Sequence, residues 1–319
     1  MKHLRLLTLF LLFLTINILP ATALTPQTDD DLLRDFLWNR FIRLPKEQRP
    51  QIGLALSAGG VRGFAHVGVL EVLNNAQLPI DMISGTSMGS VVGGLYAAGL
   101  PTKKLWEIGE HITLKNITSD LNVMGLFRFL FAKQLPSSEN LVNFFHEQLG
   151  DIQFEQLPIP FSCAAMDIKT GERVLFNSGP LAIAVRASMN LPGVFEPVQY
   201  RHRALVDGAV VDYLPVETVK QMGADYIIAS VTPPDFYSQT PQTVAAYLLR
   251  VADVRGAAMI EESAHKANFV ITNRVLDTGT LELDRLYEAG EVGIKEAHQH
   301  LKGMQEDLLL FSLPYVLEK

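Results

Sequence analysis

The chain has a single cysteine, Cys163. That excludes an intramolecular disulfide and any cysteine-based zinc site. Basic charge is also scarce: 27 Lys and Arg stand against 34 Asp and Glu, for a net charge of −7. Nucleic-acid surfaces need clustered cations, and none is present, so no nucleic-acid partner is expected. Low-complexity tracts and repeats of solenoid or propeller period are missing as well. Histidines and carboxylates do not cluster at ligand spacing, so neither a metal nor a cofactor is expected. What is present is a 319-residue chain, 48% hydrophobic and 19% charged, with ample material for one large core.

The N-terminus reads as a leader. Lys2 and Arg5 precede an apolar stretch over residues 6–19, and Ala21-Thr22-Ala23 supplies a small-residue cleavage pattern. The apolar run is short for a bilayer span and stops at Pro20. A cleavable signal peptide over 1–23 is expected, and with it a secreted or periplasmic mature protein. No cysteine lies near the cleavage site, which argues against a lipid-modified form.

Residues 24–51 read as a lead-in with an amphipathic helix over 29–44. Thr28 or Asp29 can cap it, and Leu32, Leu33, Phe36, Leu37 and Phe41 recur at helical spacing. From residue 52 onward, strands and helices alternate, with no linker to the end at 319. The pattern predicts one α/β domain: a largely parallel central sheet with helices on both faces. Within it, 161–166 and 173–176 read as paired strands. Residues 204–206 and 226–231 read as further strands, and 240–266 and 282–303 as long helices. The segment 121–135 carries Val123, Met124, Leu126, Phe127, Phe129, Leu130 and Phe131, and fits either a core helix or a lid against a lipid surface. The tail 307–317 is expected to pack on the domain or on a second copy. The residues left after the last helical pattern are too few for an outer-membrane barrel.

Gly85-Thr86-Ser87-Met88-Gly89 lies between an apolar strand pattern and a small-residue helix pattern. A serine on a strained strand-to-helix turn, flanked by glycines, has the form of a nucleophile elbow. Its hydroxyl stands clear of the sheet at a helix N-terminus, whose free N–H groups suit a developing oxyanion. The earlier loop 57–63 (Ser-Ala-Gly-Gly-Val-Arg-Gly) also follows a strand and precedes a helix, so Gly59 and Gly60 can present backbone N–H groups. A dinucleotide-binding loop is the competing reading, with Asp81 at a suitable distance, but Ala58 occupies the first glycine position of that pattern. For a base, a Ser–Asp–His triad needs a late histidine. His265, His298 and His300 are available, yet each falls in a helical pattern. Asp207 follows a strand, precedes Gly208, and sits where parallel sheets gather their active sites.

These blocks resemble a known family. Residues 57–70 are similar to the oxyanion block of the patatin-like phospholipases, and 85–89 to their nucleophile block. Residues 186–195 resemble the segment before their aspartate, and 205–216 the aspartate block itself. The resemblance runs in order over about 52–231 and is nearest to the bacterial branch related to the neuropathy target esterase catalytic domain. It implies a Ser–Asp dyad without a catalytic histidine, with Ser87 as nucleophile and Asp207 as base and then acid. It implies an oxyanion hole from the Gly59, Gly60 and Val61 amides, supported by Arg62 and Gly63, with Gly85 and Gly89 shaping the elbow. His66 is expected in helix packing or behind the site. Ala58 and Ala209 stand where the family usually has glycine, which should alter detail rather than activity. The implied activity is metal-free hydrolysis of phospholipid, lysophospholipid or simpler acyl esters. A secreted lipid-binding protein on a decayed scaffold is the non-catalytic alternative.

Overall fold

A computed structural model describes residues 28–112, 135–236, 242 and 244–317. The expected leader, and all of 121–135 except Leu135, lie outside them. The chain forms two compact units, Met1–Arg43 and Leu44–Lys319.

In the first unit, helix α1 (Asp29–Phe41) starts at a capping box. The Thr28 hydroxyl accepts from the Asp31 amide at 3.2 Å, and the Asp31 carboxylate accepts from the Thr28 amide at 3.1 Å. The helix stops short of 44, because Pro45 disfavours helical geometry in the residue before it. Trp38 and Phe41 are buried with ring centroids 5.5 Å apart. Leu32, Leu33 and Phe36 are exposed, contrary to the buried stripe expected of them. Periodicity marks an apolar stripe but not what covers it.

The second unit opens with β1 (Ile52–Leu56), α2 (Ala65–Asn75), β2 (Met82–Thr86) and α3 (Met88–Ala97). Helices α4 (Thr102–His111) and α5 (Asn140–Leu149) precede β3 (Phe161–Asp167) and β4 (Arg173–Phe176). Next come α6 (Leu181–Ser188), β5 (Val198–Tyr200), β6 (Arg203–Asp207), α7 (Val216–Gln221) and β7 (Tyr226–Val231). The chain continues with α8 (Val244–Ala264), β8 (Phe269–Thr272) and α9 (Leu286–Leu317). Helix α9 runs further than expected and takes in the tail, with Leu308 and Ser312 buried but Leu310 and Leu313 exposed. Among the described residues no helix is long and apolar enough to cross a membrane.

Strands β8, β7, β1, β2 and β3 pair in parallel in that order. β1 and β7 are buried along their whole length, as continuous apolar strands inside a covered sheet should be. One face is covered by α7 and α8, which pack on Ala55, Met82, Ile227 and Ala229. On the other face Gly93 of α3 lies against Leu56, Ile83 and Phe161. There α9 approaches α2 closely enough that a Cβ on Gly293 would meet the Ala65 carbonyl.

The remainder of the sheet is antiparallel, and it decides where the site lies. β4 occupies one edge of β3 over Cys163–Met166. β2 pairs with Phe161–Ala164 and β6 with Ala165–Asp167, so both use the opposite edge of β3. They run toward each other along it: Thr86 is opposite Ala164, and Asp207 is opposite Ala165. Two strands thus meet end to end, with β5 pairing β6 alongside. Strands β5 (three residues) and β8 (four residues) were not expected from the sequence pattern.

Candidate active site

The elbow is built by backbone demands. Ser87 has φ 53° and ψ −123°, a conformation that bulky L residues avoid. A Cβ on Gly85 would lie 2.2 Å from the Gly89 carbonyl oxygen, and one on Gly89 would lie 2.5 Å from that of Leu56. Both glycines are therefore required for helix α3 to pass so close to β1 and β2. The Ser87 amide donates to Ser188 Oγ at 3.1 Å. Its hydroxyl donates to Asp207 Oδ2 at 2.6 Å, and both side chains are buried.

Asp207 reaches this position differently from the sequence expectation. It does not stand at the end of a parallel strand, because β6 is antiparallel to β3. The register along β3 brings it to Ser87, and Gly208 lets the chain continue toward the end of β2. A Cβ there would lie 2.3 Å from the Ala164 carbonyl oxygen. Asp207 Oδ1 accepts from the Ala209 amide at 2.8 Å, and the Asp207 amide donates to the Asn190 carbonyl at 2.9 Å. Burial raises its pKa to about 7, with the bonds from Ser87 and Ala209 offsetting only part of the shift. The segment just before β5 and β6 therefore steadies both residues, Ser188 on one and Asn190 on the other. Asn190 is itself fixed by the Ser138 hydroxyl at 2.5 Å.

The glycine loop after β1 lies against the elbow: a Cβ on Gly63 would sit 2.7 Å from Met88 Cβ. Gly60 has φ +55°, and a Cβ there would clash with Thr280, while one on Gly59 would clash with Thr232. Among the described residues, the amides of Gly59 and Gly60 have no partner. The Val61 amide differs from expectation, because it donates to the Thr280 carbonyl at 3.1 Å. Two amides of the expected three are thus available. The Ala58 amide is also engaged, donating to the Tyr213 carbonyl at 2.9 Å.

Arg62 is buried and donates to Asp253 at 3.0 Å and to the Thr278 carbonyl at 3.2 Å, pinning the loop from its far side. His66 lies behind the loop, with Nε2 2.9 Å from the Ser57 carbonyl and Nδ1 2.8 Å from Ser230 Oγ. A carbonyl only accepts, so Nε2 carries the proton and Nδ1 accepts from Ser230. Burial lowers the His66 pKa to about 4, which keeps the ring neutral. Ser188, Thr232 and Thr280 were not singled out in the sequence. Their signal is faint, since each is a small polar residue whose partner lies far along the chain.

Among the described residues, none of His265, His298 and His300 hydrogen-bonds to Ser87 or Asp207. His265 and His300 hydrogen-bond to carbonyls four residues earlier, Glu261 and Glu296. Asp81, the candidate ribose-binding acid, is held by Arg49 in a two-pronged pair at 2.5 and 2.9 Å and accepts from the Ile52 amide. It serves to join β1 to β2.

Known proteins are similar to this chain in sequence and in fold. An uncharacterised NTE family protein of Mycobacterium bovis is 35% identical over 191 residues, 59% of this chain and 51% of that protein. Lysophospholipase nte1 of Neurospora crassa is 27% identical over 292 residues, 81% of this chain and 19% of that one. The chain thus spans about half the length of the first and far less of the second. Among solved structures, VipD from Legionella pneumophila is similar with a TM-score of 0.49 and 13% identity, over 80% of this chain and 67% of that one. The family model described as patatin-like phospholipase matches residues 54–220, from β1 through the glycine loop, the elbow and Asp207 to α7. That match covers more than half of the sequence, and the chain belongs to the patatin-like phospholipase family.

Proposed function

We propose that this chain is a serine acyl hydrolase that releases fatty acid from phospholipid, lysophospholipid or a simpler acyl ester. The observation that carries the reading is the 2.6 Å hydrogen bond from Ser87 to Asp207, made by a serine held at φ 53°. Asp207 takes the Ser87 proton as Oγ attacks the ester carbonyl. The amides of Gly59 and Gly60 stabilise the oxyanion, with the Arg62 anchor holding their loop. Asp207 then protonates the leaving alcohol, and an acyl-Ser87 ester remains. Asp207 next activates water, which attacks that ester and releases the fatty acid and free Ser87. A carboxylate whose pKa lies near 7 suits both roles near neutral pH.

Turnover of a chromogenic acyl ester by the S87A and D207N proteins tests the dyad. Near wild-type rates in either would remove it. Replacing His265, His298 and His300 in turn tests the triad alternative, and the dyad requires no large loss from any of them. Labelling of Ser87 by a fluorophosphonate separates an enzyme from a decayed scaffold. Incubating wild-type and S87A protein with mixed phospholipids, followed by lipidomic comparison, would define head group and chain.

Two further parts of the reading rest on sequence. Export through cleavage after Ala23 requires a secreted or periplasmic form that begins at Leu24, which intact-mass measurement would detect. Contact of 121–135 with a lipid surface requires that Phe127→Ser with Phe131→Ser weakens liposome co-sedimentation.

A further inference from the structure

Strand β7 pairs with β1 in parallel, with Ser230 opposite Leu56. That register carries Thr232, one residue beyond β7, alongside the start of the glycine loop. Thr232 is fully buried. Its amide donates to Ser57 Oγ at 2.9 Å, and its carbonyl accepts from the Tyr213 hydroxyl at 3.2 Å. Both backbone groups are committed, which fixes where the side chain stands.

The side chain acts on one acceptor. Thr232 Oγ1 donates to the Ala58 carbonyl at 2.7 Å, and Ser57 Oγ donates to the same carbonyl at 2.8 Å. The two hydroxyl oxygens are 3.1 Å apart, and each hydroxyl has a single proton to give. With both protons on the carbonyl, its two lone pairs are filled. One partner satisfies a buried carbonyl, and a second restricts its direction.

That direction sets the amide behind it. The Ala58–Gly59 peptide is planar and trans, so the Ala58 carbonyl and the Gly59 N–H point opposite ways. Two hydroxyls that hold the carbonyl therefore aim the Gly59 amide, which has no partner among the described residues. Thr232 Oγ1 also sits against Gly59 itself, where a Cβ would lie 2.1 Å from it. The next anchor along the loop is the Val61 amide on the Thr280 carbonyl. The Gly59–Gly60 peptide lies between these two pinned planes, so a turn of the first carries the Gly60 amide with it. Thr232 stands outside residues 54–220, which match the family model.

We propose that Thr232 is a positioning residue for the oxyanion hole: its hydroxyl orients the Ala58–Gly59 peptide so that the Gly59 amide meets the charge developing on the ester oxygen. This rests on the acyl hydrolase reading for the charge that is stabilised. The orientation of the peptide does not depend on that reading.

The test compares full-length wild-type, T232V, T232S and S57A proteins in turnover of a soluble short-chain ester and in the Gly59 amide resonance. T232V keeps the side-chain shape and removes the donor. Its kcat should fall about tenfold or more with KM within about twofold, because the oxyanion contact strengthens only in the transition state. The Gly59 resonance should move with it. T232S restores a donor and should recover kcat to within about threefold of wild type. S57A removes the other donor to the same carbonyl, so it should shift kcat and the Gly59 resonance in the same direction even if T232V fails to fold. Wild-type kcat in T232V with an unmoved Gly59 resonance would overturn the proposal. So would a loss confined to KM, or a T232S protein as slow as T232V, since the hydroxyl would then not set the loop. A wild-type protein inactive on the ester would instead remove the hydrolase reading, and the Gly59 resonance of T232V and S57A would still decide the orientation.

Discussion

Ser87 and Asp207 terminate two strands that meet head to head on one edge of β3, yet the two ends are made in opposite ways. Around Ser87 the work is local. Five consecutive residues set the turn, with two glycines allowing contacts no Cβ would permit. Around Asp207 the work is remote. Its register comes from β3, its backbone partner from Asn190, and its raised pKa from burial by the surrounding domain. The first end positions an atom through backbone strain, and the second tunes a proton through desolvation. Asp81 shows what the second end lacks. It is also buried, but Arg49 pairs with it, and its carboxylate ties the start of β2 to the Ile52 amide of β1.

The contrast breaks most visibly at Ser87. The S87A protein should lose about a thousandfold or more in ester turnover and all fluorophosphonate labelling. Its melting temperature should stay within a few degrees of wild type, because a hydroxyl is removed without altering the strand ends.

D207N should cost about a hundredfold or more in turnover and yet stabilise the fold at neutral and higher pH. The folded pKa of Asp207 is raised from the ordinary 3.8 to about 7. Between those values the folded protein keeps a proton that the unfolded chain releases, so wild-type stability falls as pH rises through that window. The variant escapes this loss. Thermal melts should show it more stable than wild type above about pH 7, by a few kcal/mol at most, and equal to it near about pH 4. Lower stability of D207N at high pH would mean that Asp207 serves the fold rather than the chemistry.

The wild-type pH profile sharpens the same point. Turnover should rise about tenfold per unit as pH approaches 7 from below and then level, since the base must be ionised. In D207N the residual rate should lose that inflection.

The smallest effect is expected at the link between the two ends. Ser188→Ala removes the acceptor for the Ser87 amide, and kcat should fall several-fold with KM nearly unchanged. Ser188→Thr, which keeps the hydroxyl, should recover most of it. A change confined to KM would instead assign Ser188 to substrate binding.

Much of the site was legible because its demands are local. The elbow glycines, the glycine loop and Asp207-Gly208 each answer a backbone constraint within a few residues, and such constraints leave residue types behind. Where reading failed, the missing fact came from a distant segment. The Val61 amide looked available until Thr280 was seen to engage it. Leu32, Leu33 and Phe36 looked like core because helical spacing records a stripe without its neighbour. Asp207 was assigned correctly to the vicinity of Ser87 for a reason the sheet does not support, since β6 runs antiparallel.

The amino-acid sequence alone determined the family, the alternating α/β core and the turn that strains Ser87, because these depend on short-range sterics and hydrophobic period. Only the tertiary structure decided that β2 and β6 abut on β3 and that, among the described residues, two loop amides have no partner and Asp207 is buried with no cation bonded to it. Pairing register and desolvation arise from contacts between segments far apart in the chain, and no local pattern encodes them.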